Sequence, residues 1–155
     1  MSAPTRGADV RVVPPLLYLV PFAVAAAVHL WLPLRLPGGP AVAIAGLVLL
    51  VAGIALIATG VATVVRHRTA LLPHHVVSTL VTTGVFRLSR NPMYTGFAVA
   101  YLGGALLLDS WWPLIALPAV LVAVRRLVID REERYLASRF GEQHRSYSAR
   151  VRRWL

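Results

Sequence analysis

The chain of 155 residues contains no cysteine and no lysine, and only six of its side chains are acidic. Without cysteine, the chain can form no disulfide, no thiolate nucleophile and no cysteine-ligated metal site. Charged residues make up only 14% of the sequence, hydrophobic residues make up 57%, and the mean hydropathy is +0.68. This composition is too apolar for an ordinary soluble domain, so we predict an integral membrane protein.

The positive charge comes entirely from arginine, because 16 arginines against six acids give a net charge of +10. A basic chain can bind nucleic acid, but in an apolar chain this bias is typical of the positive-inside rule and of contact with anionic lipid headgroups. We therefore expect membrane lipids, and no nucleic acid, as partners. The five histidines are scattered, and the adjacent pair His74-His75 would point in different directions on a helix, so we also expect no metal site.

Apolar segments predict an all-α fold, a polytopic membrane helical bundle of about four transmembrane helices. Pro37-Gly38-Gly39-Pro40 predicts a turn between the first two helices. Gly46, Gly53 and Gly60 recur every seven residues and predict close approach of another helix. A cleaved signal peptide is an alternative for the first segment, although its apolar run is longer than usual for one. The four predicted spans are residues 14–34, 41–65, 92–108 and 111–124.

Beyond the fourth span we expect a helix over residues 128–140 that ends at Gly141. His144, Tyr147, Val151 and Trp154 then recur at helical spacing among arginines, which predicts an amphipathic helix in the membrane interface. The whole chain, residues 1–155, is interpreted as one membrane domain. In it, residues 1–65 form two N-terminal spans and residues 66–155 form the functional core.

The arginines predict the orientation of the bundle. With four spans, 15 of the 16 arginines fall on one face of the membrane, and only Arg35 falls on the other. The positive-inside rule then places both termini in the cytoplasm, on the inner side of the cell membrane. Asp109 and Ser110 are expected in a turn or helix N-cap on the opposite face.

Two polar clusters, residues 87–96 and 130–135, flank one apolar hairpin. The stretch between them is long enough to cross a bilayer and return, so both clusters should lie close together on the cytoplasmic side. Ionisable groups gathered at a membrane boundary are costly and indicate a functional site. Arg87 and Arg90 can hold a carboxylate or phosphate, and Glu132 and Glu133 can accept hydrogen bonds from hydroxyls or an ammonium group. These residue types alone also fit interfacial anchors or a bound zwitterionic headgroup.

The order of several short segments is more specific than their chemistry. LVTTGVF at residues 80–86 is followed by RNPMYTG at 90–96, EERYL at 132–136, FG at 140–141 and YSARV at 147–151. This combination resembles the isoprenylcysteine carboxyl methyltransferase and phospholipid methyltransferase superfamily of integral membrane enzymes. The resemblance covers about residues 66–155, and the first two spans match only in being apolar.

The resemblance implies S-adenosylmethionine as the methyl donor, bound in a pocket at the cytoplasmic face. Arg90 and Glu132 are the implied catalytic residues. Two positions depart from the family pattern, because Asn91 replaces the usual histidine and Phe86 replaces the usual tyrosine. A proton-transfer role that depends on histidine therefore does not carry over to Asn91. The implied cofactor-binding residues are Leu80, Val81, Phe86, Asn91, Pro92, Met93, Tyr94, Glu132 and Glu133.

The missing histidine favours an acceptor that needs no base. A carboxylate is already ionised at neutral pH, whereas an amine must first lose a proton. We therefore predict carboxyl O-methylation of an isoprenylcysteine-like or other lipidic acid, an amphiphilic acceptor whose anionic group Arg125 and Arg126 could bind. N-methylation of a phospholipid or lipid amine is the alternative within the same class. A lipid-binding membrane scaffold without catalytic activity is the alternative of another class.

Overall fold

A computed structural model of the chain describes residues 8, 10, 12–69 and 76–154. Predictions that concern Arg6, Arg11, His74 and His75 lie outside these residues. The described part contains helices and no strand, so the all-α prediction holds for it. Its six α-helices are α1 Leu16–Trp31, α2 Pro40–Arg66, α3 Pro92–Leu107, α4 Trp111–Val124, α5 Asp130–Phe140 and α6 Glu142–Arg150.

Proline, serine and glycine set the helix boundaries. Pro40 and Pro92 occupy the first positions of α2 and α3, where the missing N–H group is not needed for a helical hydrogen bond. The Ser110 side chain caps α4 by accepting a hydrogen bond from the Trp112 N–H group at 3.3 Å. Gly141 ends α5 with a φ of 49°, a left-handed conformation that favours glycine. The predicted cap at Ser110 and the predicted stop at Gly141 are both confirmed.

Helices α2 and α3 approach each other closely because both present glycines at their interface. A Cβ atom on Gly53 would lie 2.4 Å from the backbone nitrogen of Ala100, and one on Gly103 would lie 2.4 Å from that of Leu50. Gly46 and Gly60 are also buried on the same side of α2. The predicted role of the glycine repeat in helix packing is confirmed.

The two turns that join α1 to α2 and α3 to α4 meet at one end of the bundle. The Asp109 carboxylate accepts a hydrogen bond from the Leu36 N–H group at 3.1 Å. The Trp112 indole donates to the Leu32 carbonyl at 2.7 Å, and the Trp111 N–H group donates to the Leu34 carbonyl at 3.0 Å. Asp109 therefore fastens a turn, as predicted, and takes no part in the polar clusters at the other end.

Helix α4 continues into α5 through a π-helical turn at Arg125–Ile129. The predicted fourth span and the predicted helix over residues 128–140 are thus one helix of 30 residues, Trp111–Phe140. A π turn contains one extra residue and changes the face that a helix presents. Val124, Val128 and Ile129 are fully buried around this turn, and the charged part of the helix begins there.

Among the residues that the structure describes, two helices are long and apolar enough to cross a membrane by length and composition, namely α2 and Trp111–Phe140. Helices α1 and α3 are also apolar but have 16 residues each, which corresponds to a length of roughly 24 Å. Many large apolar side chains of α1 and α2 are exposed, including Leu30 at 81% and Trp31 at 90%. Such surfaces suit contact with lipid rather than water.

The predicted interfacial helix at the C-terminus is wrong in its extent and its burial. Helix α6 ends at Arg150, and Val151 is extended, with φ −119° and ψ 130°. His144 and Tyr147 are buried at 7% and 5% exposure. The chain leaves the helix because the carbonyl group of Arg152 accepts a hydrogen bond from the Arg90 N–H group at 2.9 Å. A tertiary contact thus overrides the helical spacing of the sequence.

Candidate active site

A cavity lies at the end of the bundle opposite to the two joined turns. The end of α2, the segment before α3, the first turn of α3, and helices α5 and α6 surround it. About 890 Å³ of empty space lies in the cavity together with its open mouth. Its lining residues are Ala8, Val64, Thr69, Val77, Thr79, Leu80, Val81, Phe86, Arg90, Asn91, Pro92, Met93, Tyr94, Glu132, Glu133, Tyr135, Leu136, His144 and Tyr147.

The cavity brings together every residue that the sequence predicts for cofactor binding or catalysis. Their chemical roles remain predictions, whereas their proximity is a property of the fold. Arg125 and Arg126, predicted to bind the acceptor, are exposed and do not line the cavity. Arg87 is also exposed and outside it. The residues brought together are Leu80, Val81, Phe86, Arg90, Asn91, Pro92, Met93, Tyr94, Glu132 and Glu133.

One side of the cavity is apolar. Val81 and Phe86 are each 8% exposed and pack with Val64 and Met93. The backbone carbonyl of Phe86 accepts a hydrogen bond from the Tyr147 hydroxyl at 2.6 Å, which fixes the short 3₁₀ turn Gly84–Arg87 against α6. This wall can accommodate a flat aromatic group.

The other side of the cavity contains Glu132. This residue belongs to the charged continuation of the long helix, beyond the apolar segment that ends before Arg125. Its carboxylate accepts a hydrogen bond from the Tyr94 hydroxyl at 2.9 Å. Burial raises the pKa of Glu132 to about 7, the Tyr94 hydrogen bond lowers it, and the nearby Glu133 charge raises it further. A cation in the cavity would relieve this unfavourable burial of negative charge.

Glu133 differs from Glu132 because arginines neutralise it. Arg90 Nη1 lies 3.3 Å from Glu133 Oε1, and both side chains are mostly buried, at 16% and 14% exposure. Arg153 Nη2 lies 2.5 Å from Glu133 Oε2 and its Nε donates to Oε1 at 3.3 Å. Arg153 Nη1 also lies 3.1 Å from Asp130 Oδ1. Of the two adjacent acids, Glu133 is thus ion-paired with arginines, whereas Glu132 is hydrogen-bonded to a neutral hydroxyl group.

Arg90 retains an unused donor. Its Nε atom is buried and has no hydrogen-bond partner within the described residues. A buried guanidinium N–H without a partner is unfavourable, and Arg90 lines the cavity. An anionic group bound there would satisfy this donor through a charge-assisted hydrogen bond.

The Asn91 amide is used by the protein itself. Asn91 Nδ2 donates to the Arg153 carbonyl at 3.1 Å, and the Asn91 backbone N–H donates to Ser89 Oγ at 3.1 Å. Ser89 Oγ in turn donates to the same Arg153 carbonyl at 3.3 Å. Asn91, at the position where the resemblance expects histidine, therefore holds the C-terminal segment.

Sequence analysis assigned no site role to several residues in or beside the cavity, among them His144, Tyr147 and Arg153. His144 and Tyr147 line the cavity; their helical spacing just after Gly141, which we interpreted as an interfacial face, and the place of Tyr147 in the YSARV segment were the signals that could have found them. Burial lowers the pKa of His144 below its ordinary value, and burial raises the pKa of Tyr147 to about 12. Arg153 carried no distinguishing signal, because it is one of nine arginines after residue 124.

Comparison with known proteins agrees with this geometry. The profile of the phospholipid methyltransferase family matches residues 41–143. The chain belongs to this family. The match includes α2, α3, α4 and α5 and so covers most of the cavity, but it ends before His144 and Arg153. A membrane methyltransferase family and apolar helices long enough to span a bilayer together indicate a membrane protein.

Several relatives share part of the sequence. Protein-S-isoprenylcysteine O-methyltransferase B of Arabidopsis thaliana is 38% identical over 81 residues, which are 50% of this chain and 38% of that protein. Protein-S-isoprenylcysteine O-methyltransferase of Schizosaccharomyces pombe is 35% identical over 72 residues, 46% of this chain and 30% of that protein. An uncharacterized protein of Haemophilus influenzae is 33% identical over 63 residues, 41% of this chain and all of that protein.

The chain matches well under half the length of the two named methyltransferases. No solved structure matches the chain. Within residues 8, 10, 12–69 and 76–154, no group of three or more histidine or acidic side chains is placed to hold a metal ion.

Proposed function

We propose that this protein is an S-adenosylmethionine-dependent methyltransferase that acts in the membrane on an amphiphilic acceptor. The observation that carries the proposal is the cavity itself, which combines an apolar wall with Glu132, Glu133 and Arg90 at the polar end of the bundle. The family match and the names of the relatives support a methyl-transfer reaction.

The residues of the cavity suit the parts of this cofactor. Phe86, Val81 and Leu80 would hold the adenine, since flat rings pack well on apolar and aromatic surfaces. Glu132 would face a cationic or hydroxyl-bearing part, and Arg90 would bind the carboxylate through its unused Nε donor. When bound, the cofactor supplies an electrophilic methyl group on a sulfonium. The protein's contribution is to orient the two reactants in a site with little water.

The favoured acceptor is a lipidic carboxylic acid such as an S-isoprenylcysteine. Two relatives are named for O-methylation of a protein-S-isoprenylcysteine. A carboxylate needs no base, and Asn91, whose amide is engaged with the Arg153 carbonyl, offers none. The exposed apolar surfaces around the helices suit an acceptor that enters from the lipid, and Arg125 and Arg126, exposed where the apolar segment ends, are the proposed contacts for its anionic group.

N-methylation of a lipid amine is a second candidate that one observation favours. His144 lines the cavity, and burial lowers the pKa of its imidazole, which favours the neutral form. A neutral imidazole can accept a proton from an ammonium group before methyl transfer. His144 rather than Asn91 would then supply the base.

The test uses detergent-purified protein and cofactor with a labelled methyl group. S-adenosylmethionine should raise the apparent melting temperature, because a ligand at a hundredfold excess over its dissociation constant stabilises the folded state by about 2.7 kcal/mol. A Glu132→Ala variant should lose this shift. No shift in well-folded wild-type protein would overturn the proposal and favour a lipid-binding scaffold.

Three acceptors then separate the reactions. The first is an S-prenylated cysteine with a free carboxylate and a blocked amine. The second is the methyl ester of an S-prenylated cysteine, in which only the amine is free. The third is phosphatidylethanolamine, which offers a lipid amine. Label in the first alone supports carboxyl O-methylation, whereas label in either amine and none in the first supports N-methylation.

A further inference from the structure

The C-terminal residues after α6 are fastened to the motif that opens α3. The Arg152 carbonyl accepts from the Arg90 N–H group at 2.9 Å. The Arg153 carbonyl accepts from both Asn91 Nδ2 at 3.1 Å and Ser89 Oγ at 3.3 Å. Ser89 is fully buried and Asn91 is 8% exposed. These three hydrogen bonds fix the backbone of Arg153 at one place beside the cavity.

The side chain of Arg153 points from this fixed backbone to the acids of α5. It contacts both oxygens of the Glu133 carboxylate and one oxygen of Asp130. A two-point contact between guanidinium and carboxylate defines orientation as well as charge. Arg153 does not line the cavity, whereas Glu133 does, so the side chain of Arg153 acts on the cavity through Glu133, while its backbone carbonyl holds Asn91.

Glu133 is shared between two arginines. Arg90 Nη1 is 3.3 Å from Glu133 Oε1, which is a weaker contact than the two-point pair with Arg153. If Arg153 were absent, Arg90 would become the main counter-ion of a carboxylate that is only 14% exposed. Because leaving a buried charge without its partner is strongly unfavourable, Arg90 would then be drawn to Glu133. With Arg153 present, Arg90 keeps a buried Nε donor for another anion.

We infer that Arg153 is a positioning residue that neutralises Glu133 and so leaves Arg90 available for the carboxylate of the cofactor. The inference rests on the proposed function, because that function identifies the anion at Arg90 as the carboxylate of the cofactor. It also gives Asn91 a role that does not involve proton transfer, which is to hold the segment that carries Arg153.

The experiment measures binding of two ligands by calorimetry in detergent. One is S-adenosylmethionine and the other is its decarboxylated analogue, which keeps the adenosine, the sulfonium and the amine. In Arg153→Gln we expect the dissociation constant for S-adenosylmethionine to rise roughly tenfold or more, as for a lost hydrogen bond to a charged group. The dissociation constant for the analogue should change by less than about twofold.

Two further variants complete the design. Arg150→Gln is the matched control, because Arg150 is exposed and its Nε donates to the Ser146 carbonyl within α6; both ligands should bind it as they bind the wild type. Arg153→Lys keeps the charge but not the two-point contact, so it should give an intermediate loss for S-adenosylmethionine alone. It also provides the measurement if Arg153→Gln does not fold.

The outcomes separate the two proposals. Equal weakening of both ligands would show that Arg153 only maintains the fold, and unchanged binding of both would show that it has no role; either result overturns this inference and leaves the proposed function standing. A wild-type protein that binds neither ligand overturns the proposed function, and this inference with it.

Discussion

Glu132 is the site residue whose charge is least compatible with its surroundings. Its side chain is half-buried in the wall of the cavity, it accepts a hydrogen bond from the neutral Tyr94 hydroxyl, and its pKa is raised to about 7. Glu133, one residue away, has two arginine partners. The protein thus keeps one acid neutralised and leaves the other to meet a ligand, which is a common arrangement at functional sites.

The raised pKa of Glu132 predicts one component of the pH dependence of stability, to which the lowered pKa of His144 adds a component of opposite sign. A carboxyl group whose folded pKa lies near 7, above its unfolded value of 4.5, contributes stability below pH 4.5 that is lost as the pH rises through 7. We therefore expect the Glu132 contribution to lower the apparent melting temperature of unliganded wild-type protein as the pH rises from 5 to 8. In Glu132→Gln that part of the decrease should disappear, so the variant should be the more stable protein at pH 8.

The control for this measurement is Glu142→Gln. The Glu142 side chain is 78% exposed, so its substitution should leave the pH dependence as in the wild type. If the apparent melting temperatures of wild type and Glu132→Gln changed with pH in the same way across this range, that result would contradict the raised pKa of Glu132. Glu132→Gln should also fail to bind S-adenosylmethionine. At pH 8 this substitution should therefore raise the stability of the protein and abolish cofactor binding.

At the scale of single residues, the sequence predicted the residues of the motif but not Arg153, which contacts them from the C-terminal segment. Leu80, Phe86, Arg90 and Glu132 could be placed because the order of short segments resembles a known superfamily. Arg153 could not, because its importance arises from hydrogen bonds to residues more than sixty positions away in the chain. Composition and local spacing contain no record of such contacts.

Among the helices, the α2–α3 pair has the least room for change. A Cβ on Gly53 would lie 2.4 Å from the Ala100 nitrogen and 2.6 Å from the Gly96 oxygen, and both are backbone atoms that cannot rotate away. We expect Gly53→Ala to force α3 away from α2 and to destabilise the protein by about 1–3 kcal/mol, as overpacking does. A lower apparent melting temperature in detergent is the measurement. Because α3 carries Tyr94 on its first turn, cofactor binding should weaken as well.

Gly39→Ala is the matched substitution for this test. Nothing lies within 4 Å of a Cβ at Gly39, and its φ of −140° is an extended conformation that any residue adopts. This variant should melt as the wild type does. If both alanine variants melted at the same temperature, the close contact of α2 and α3 would not limit stability.

The helices themselves were predictable because apolar runs, prolines and glycines are local signals. Pro40, Pro92 and Gly141 mark boundaries through their own backbone chemistry, whatever surrounds them. The end of α6 was not predictable in this way. Arg150 to Trp154 continues a helical pattern in sequence, but the hydrogen bonds that the Arg152 and Arg153 carbonyls accept compete with helix formation and prevail.

The molecule as a whole has two chemically different ends. One end contains the joined turns, fastened by Asp109 and Trp112, and Arg35 belongs to that end. The other contains the cavity and the remaining arginines of the described residues. Such an asymmetry of charge supports the proposal that the bundle crosses a membrane with the cavity on the cytoplasmic side.

Absence of cysteine allows this orientation to be tested without any background labelling. Single cysteines at Gly39, Leu88 and Arg145 would each be accessible, since all three positions are exposed. In sealed vesicles of known orientation, we expect a membrane-impermeant maleimide to label Leu88→Cys and Arg145→Cys from the same side and Gly39→Cys from the other. This follows because α2, which has 27 residues, separates Gly39 from the end that holds the cavity.

Detergent-solubilised protein is the control, since all three cysteines should then react equally. Labelling of all three from one side in sealed vesicles would contradict a membrane-crossing bundle, because Gly39 and the cavity end would share an aqueous compartment. Labelling of Leu88→Cys and Arg145→Cys from the periplasmic or external side would keep the crossing but reverse the orientation. The exposed arginines would then face away from the anionic inner leaflet, against the physical basis of the positive-inside rule.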